Sequence, residues 1–170
     1  TIGITGNVLD RDGNKVPGTI SVTVPTATNF SVDASTGQLI SPEMTIKNNS
    51  DERLAVVASQ FIDSNGQQQI NVIKKTDFES QGQPSDNDRG SVWLALNSGT
   101  KIVGFTSNNE GEIYDYKYQS SAAGSEIGKI SERGTMTLQL EGKGGTKGGD
   151  PNTPIKDTFK LILKIKRDRT

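Results

Sequence analysis

Phe159-Lys160-Leu161-Ile162-Leu163-Lys164-Ile165-Lys166 is the stretch on which the fold class turns. Phe159, Leu161, Leu163 and Ile165 recur at every second position, opposite Lys160, Lys164 and Lys166. A period of two puts alternate side chains on opposite faces of a strand, whereas a helix needs apolar residues spaced by three and four. The segment therefore predicts a strand with one buried face and one wet face. Its local positive charge reads as the solvated side of that strand.

The same period recurs outward along the chain. Ile2, Ile4 and Val8 share one phase, with Gly6 between them; Ile20, Val22 and Val24 repeat it. Met44 and Ile46 follow, then Leu54, Val56 and Ala58, then Val92, Leu94 and Leu96, then Met136, Leu138 and Leu140. Turn-forming clusters separate these runs: Asp12-Gly13-Asn14, Pro17-Gly18, Lys47-Asn48-Asn49-Ser50, Ser64-Asn65-Gly66 and Asn108-Asn109-Glu110-Gly111. Asn65-Gly66 lies between two apolar runs and predicts a hairpin. The nearest helical candidate is one short turn over Thr76 to Gln81. About nine or ten strands with this patterning predict an all-β, antiparallel β-sandwich of the immunoglobulin-like or jelly-roll type.

The 170 residues suit one domain, read as a single unit over 1–170. Glu79 to Arg89 and 141–154, the latter Gly-rich, read as long hairpin loops. Net charge is −1, from 19 basic and 20 acidic residues, which gives no chain-wide attraction to nucleic acid. No run of apolar residues is long enough for a transmembrane helix. The chain contains no Cys and no His, so thiol nucleophiles, Ser-His-Asp triads and the usual zinc sites are excluded. Nothing singles out a catalytic pair among the carboxylates, and the chain reads as a binding or assembly protein without a cofactor, not an enzyme. It begins at Thr1 rather than Met, which fits a mature chain that has lost a leader; a trimmed chain reads identically.

Several local patterns invite a site. Asp10, Asp12 and Asn14 resemble half of a calcium loop, but Gly13 comes too early and no Glu follows at the required distance, so a turn is favoured over calcium. Asp86-Asn87-Asp88 is a weaker oxygen cluster. Gly142 to Gly149, with Lys143 and Lys147, lacks the spacing of a phosphate-binding loop. Tyr114, Tyr116 and Tyr118 alternate as on one strand face, where they would form either a glycan-stacking platform or a cross-strand ladder. Trp93 is out of phase with Val92 and Leu94 and belongs on the opposite face, half buried under a loop or part of a contact surface.

The first eight residues give the sharpest hypothesis. They are short, β-prone and terminal, so Ile2, Ile4 and Val8 could fill pockets in a neighbouring subunit by β-strand addition, with Gly6 allowing close approach (residues 1–9 being the donor segment). Head-to-tail contacts of this kind do not close and generate filaments. The alternation is the same for an ordinary first strand that pairs within its own sheet.

Two resemblances bear on this. Ile4-Thr5-Gly6-Asn7-Val8-Leu9-Asp10 through Gly13-Asn14-Lys15-Val16-Pro17-Gly18 resembles the opening hairpin of transthyretin-like and collagen-adhesin B-type surface modules. Thr23-Val24-Pro25-Thr26 through Phe30-Ser31-Val32-Asp33, Ser41-Pro42 and Thr45-Ile46-Lys47-Asn48-Asn49-Ser50 resembles secreted Gram-positive sandwich proteins of the camelysin and biofilm-fibre type. The second resemblance implies a secreted, cell-surface subunit that polymerises head to tail through an N-terminal donor strand. The alternative is a surface adhesion or carbohydrate-binding module contacting glycan through Trp93, Tyr114, Tyr116 and Tyr118. Some Gram-positive surface modules also carry Lys–Asn isopeptide cross-links. Here Lys15 is the only early lysine and the closing strand carries no Asn, so no cross-link is expected.

Overall fold

The computed structural model describes residues 20–63, 69–107, 111–155 and 157–168. In chain order the elements are β1 (Val22–Thr23), β2 (Ser31–Val32), β3 (Leu39–Ile40), β4 (Met44–Asn48), β5 (Leu54–Asp63), β6 (Asn71–Ile73), α1 (Lys75–Ser80), β7 (Ser91–Asn97), β8 (Ile102–Thr106), β9 (Glu112–Asp115), β10 (Ser125–Ile130), β11 (Thr135–Gly144) and β12 (Phe159–Arg167). The described residues thus hold twelve strands, against the nine or ten that periodicity suggests. The surplus comes from two- and three-residue strands too short to show a period.

Seven strands form one sheet, in the order β1-β4-β11-β7-β8-β9 with β6 also on β7. Three form the facing sheet, β10-β5-β12, and β2-β3 makes a small ribbon. Every pair is antiparallel except β6–β7, where Asn71 to Ile73 run parallel to Ser91 to Trp93. Residues from both sheets meet in one core that includes Ile46, Val56, Ala58, Phe61, Leu94, Leu96, Phe105, Ile127, Leu138 and Leu163. This is the all-β sandwich that the alternation predicts.

The hairpin expected at Asn65-Gly66 does not form between its flanking strands. Residues 64–68 lie outside the described set, but β5 belongs to the three-stranded sheet and β6 to the seven-stranded one. Two bulges adjust the three-stranded sheet. Ser59 on β5 is the extra residue opposite Ile162–Leu163 of β12. Ile127 on β10 is extra against Val57–Val56, and the bulge turns its side chain into the core, where it is 1% exposed.

Both segments read as loops carry structure. Glu79 to Arg89 contains the end of α1, a single 3₁₀ turn at Pro84–Asp86 and the fully buried Asn87. The Asn87 amide donates to Phe78 O (3.1 Å) and Gln83 O (3.0 Å), tying the segment down. The Gly-rich 141–154 begins as strand: Glu141 to Gly144 continue β11 and pair with Ala95 to Val92 of β7. Glycine is needed here for close packing, because a Cβ on Gly144 would lie 2.4 Å from Val32 Cγ1 of the ribbon.

The Asn48-Asn49-Ser50 segment is a polar knot at the end of β4. Asn48 is fully buried, and its Nδ2 donates to the carbonyls of Glu52 (2.6 Å), Ser131 (3.1 Å) and Ile130 (3.2 Å). Its Oδ1 accepts from Ser50 N at 2.8 Å. β4 belongs to one sheet and Ile130 to the other, so this one amide fastens the two layers at their shared end.

Candidate subunit-interaction groove

β12 lies last in the three-stranded sheet among the described residues, paired with β5 over its whole length. Its inward side chains keep the predicted phase, but only Leu163 is fully buried; Phe159, Leu161 and Ile165 stay half-buried. The physical reason is width. Among the described residues, three strands face a sheet of seven.

An apolar groove of about 460 Å³ opens there, lined among others by Phe30, Met44, Phe61, Phe105, Leu140 and Phe159. Four of the chain's five phenylalanines meet in it. Phe61 and Phe105 stack across the two sheets with centroids 4.6 Å apart and planes 12° apart. Phe159 stacks on Phe61 at 5.2 Å, and Phe30 lies 6.4 Å from Phe159. Such pairs contribute about 0.5–1.5 kcal/mol each beyond their buried area. A second hollow of about 670 Å³ shares Phe30, Ile70 and Ile155 with it and extends the trough towards β2.

The opposite end of β12 is ionic. Arg167 pairs with Glu52 (2.9 Å), and Lys129 and Arg53 both meet Asp168. β12 therefore runs from an aromatic end to a charged end, with Lys160, Lys164 and Lys166 exposed.

The donor residues Ile2, Ile4, Gly6 and Val8 and the oxygen cluster Asp10, Asp12 and Asn14 lie outside the described residues, as does Lys15. Asp86-Asn87-Asp88 serves structure: Asp86 accepts Gln83 N at 2.8 Å and Asn87 binds carbonyls. Among the described residues no three metal-ligating side chains converge.

The aromatic surface patch is corrected. Trp93 is on the face opposite Val92 and Leu94, as its phase requires, but it is buried with Phe78 and Ala95 beneath α1. Tyr114 is also buried, and its hydroxyl accepts Lys75 N at 3.1 Å; burial pushes its pKa up. Tyr116 is half-buried. Lys75 Nζ lies over its ring (4.8 Å) and over Trp93 (5.3 Å) and donates to the Tyr116 hydroxyl, a contact that holds the ammonium pKa above its usual value. Tyr118 alone is well exposed, at 71%. Tyr114 and Tyr116 both meet Lys75 of α1, and Tyr118 does not join them because β9 ends at Asp115. The Asp115 carboxylate accepts the amides of Lys117 and Tyr118 (both 2.9 Å), and the chain turns there; the bond from Tyr118, first of these, lowers the Asp115 pKa. Parity carries no information beyond the end of a strand.

No protein-family model, curated protein or solved structure matches the chain.

Proposed function

We propose that the chain is a structural subunit of an extracellular filament or surface layer, and that residues 1–9 of one copy add as a strand to the next, with their apolar side chains in its phenylalanine-lined groove. The observation that supports this reading is the phenylalanine-lined groove, where Phe30, Phe61, Phe105 and Phe159 meet and Phe30 and Phe159 stay half-buried. Apolar side chains laid in that groove would cover Phe30 and Phe159. The residues of 1–9 that alternate in phase, Ile2, Ile4 and Val8, are apolar and suit such a trough. Burying three such side chains contributes roughly 5–8 kcal/mol before ordering costs, enough for assembly when main-chain bonds are added.

The adhesion reading loses its platform, since Trp93 and Tyr114 are inside the molecule. Tyr118 on its ordered turn is too small a surface to carry it.

The test is negative-stain microscopy of the intact chain against an Ile2→Asn/Ile4→Asn variant. The expected result is filaments from the first and dispersed particles from the second. Filaments unchanged by the substitutions would remove the mechanism, and dispersed particles from the intact chain would remove the function.

A further inference from the structure

We infer that the cationic face of the three-stranded sheet is a docking surface for an acidic polysaccharide, whose sulfate or carboxylate groups meet Lys129, Lys160, Lys164 and Lys166. The inference does not rest on strand addition, because no residue of 1–9 takes part in it.

The face follows from the strand pairing. Val56, Ala58, Ile130, Leu163 and Ile165 lie in or against the core, so the residues alternating with them point away from it. On β12 these include Lys160, Lys164 and Lys166, all exposed. β10 adds the exposed Lys129, which pairs with Ala55 of β5 from the side opposite Lys166. Two strand spacings therefore set Lys129 and Lys166 about 10 Å apart across the short side chain of Ala55. Along β12, Lys164 and Lys166 stand about 7 Å apart, and Lys160 about 13 Å further on.

Little on this face neutralises the lysines. From Thr158 to Arg167 the chain has no acidic residue. The ion pairs among the described residues engage Arg53, Lys75, Lys101, Lys129, Arg133 and Arg167, and none involves Lys160, Lys164 or Lys166. Glu126, opposite Val57, and Asp168, 3.3 Å from Lys129, are the acidic residues set against the four lysines. A chain whose total charge is −1 thus gathers an excess of positive charge on one face.

The partner's chemistry follows from what the face offers. Among the described residues no aromatic side chain lies on it, which removes the stacking that holds single-stranded nucleic acid. The nearby arginines are engaged, Arg167 with Glu52 and Arg53 with Asp168, so their forks do not offer bidentate recognition of phosphates or base edges. Ile162, the apolar residue within the lysine row, is half-buried and gives a bilayer no anchor. What remains is flexible ammonium groups spread over about 20 Å of strand. Such point charges suit singly charged groups spaced along an extended polymer.

The test is fluorescence anisotropy of a labelled heparin oligosaccharide titrated with the intact chain, with uncharged dextran as the control. Heparin should bind and dextran should not. Three neutralised anions predict that binding weakens by roughly a hundredfold between about 50 and 500 mM salt. Lys160→Thr/Lys164→Thr/Lys166→Thr should weaken it by at least about tenfold. Lys47→Thr/Lys117→Thr/Lys147→Thr, which removes the same charge from exposed positions elsewhere, should change it by less than about threefold. If the first threonine chain fails to fold, glutamine at the same three positions keeps the long side chains and carries the test. The titration is repeated with Ile2→Asn/Ile4→Asn, so that assembly does not multiply the contacts; the dependence on the three lysines should persist. No binding of heparin, equal losses from the two lysine triples, a dependence that vanishes in the Ile2→Asn/Ile4→Asn chain, or tighter binding of single-stranded DNA or of anionic vesicles than of heparin would each overturn the inference. Filaments are scored separately: their absence from an intact chain that binds heparin through these lysines would sink the subunit reading and leave this face standing.

Discussion

Asn48→Ala is the substitution whose cost can be worked most directly from the structure. The side chain is fully buried and makes four contacts: three carbonyls accept from Nδ2, and Oδ1 accepts from Ser50 N. Alanine leaves those partners in a site shaped for an amide. At about 1 kcal/mol per net hydrogen bond, with some recovery by an entering water, the loss is about 3–4 kcal/mol. For a domain of this size that lowers the melting temperature by roughly 10 °C. The neighbour supplies a control. Asn49 donates to Thr23 Oγ1 at an exposed position (2.9 Å), so Asn49→Ala should cost about 0.5 kcal/mol or less. The assay is urea unfolding followed by tryptophan fluorescence, with Trp93 as the sole tryptophan. Equal effects from the two asparagines, or a loss below about 1 kcal/mol at Asn48, would refute the claim that this amide fastens the layers.

Gly104→Ala on β8 would place a Cβ 2.1 Å from the Tyr114 ring, an overpacking that should cost about 1–3 kcal/mol; in a Tyr114→Leu background most of that penalty should vanish, which a double-mutant cycle in urea would read. The Asp33 carboxylate accepts from the Ser35 hydroxyl, Ser35 N and Thr36 N, and its pKa falls from 3.8 to about 2, with the Ser35 hydroxyl the largest cause. Because the folded value lies below the unfolded one, the associated stability is present above about pH 4 and is lost as pH falls towards 2. An NMR titration should find Asp33 still ionised at pH 3, and Asp33→Asn should flatten the fall in urea midpoint between pH 4 and pH 2; titration near 3.8 would contradict the turn geometry.

The layers of the fold were legible wherever a strand is long and half-wet. Met44 to Asn48, Thr135 to Leu140 and Phe159 to Arg167 each announce themselves by alternation. β5 is readable for a different reason: Ala55 and Val57 are buried as well as Leu54 and Val56, so a continuous apolar run marks a central strand. What alternation could not give was pairing. Asn65-Gly66 carries hairpin chemistry, yet the strands on either side part to different sheets because tertiary packing outweighs a two-residue preference. The Gly-rich run looked like a loop because glycine marks both flexibility and close packing; only the position of Val32 over Gly144 separates the two. The groove was half legible. Phe159 and Leu161 were visible as one face of a strand, but nothing in the sequence brings Phe30, Phe61 and Phe105 to the same place, since they arrive from separate parts of the chain. The tyrosines failed as a platform for two reasons: α1 packs against Tyr114 and Tyr116 through Lys75, and the Asp115 turn carries Tyr118 away from them.

Cysteine cross-linking in trans tests strand addition most directly, because the chain has no cysteine of its own. One chain carries Thr5→Cys, and separate chains carry Lys160→Cys, Ile162→Cys or Lys164→Cys along β12, which flanks the groove. Mixed and oxidised under assembly conditions, at least one pairing should give a mixed disulfide of two different copies, abolished by Ile2→Asn/Ile4→Asn in the donor. Disulfides that form only when both cysteines sit in one chain, and at a rate independent of dilution, would show that the first residues pair within their own molecule and would contradict strand addition between copies.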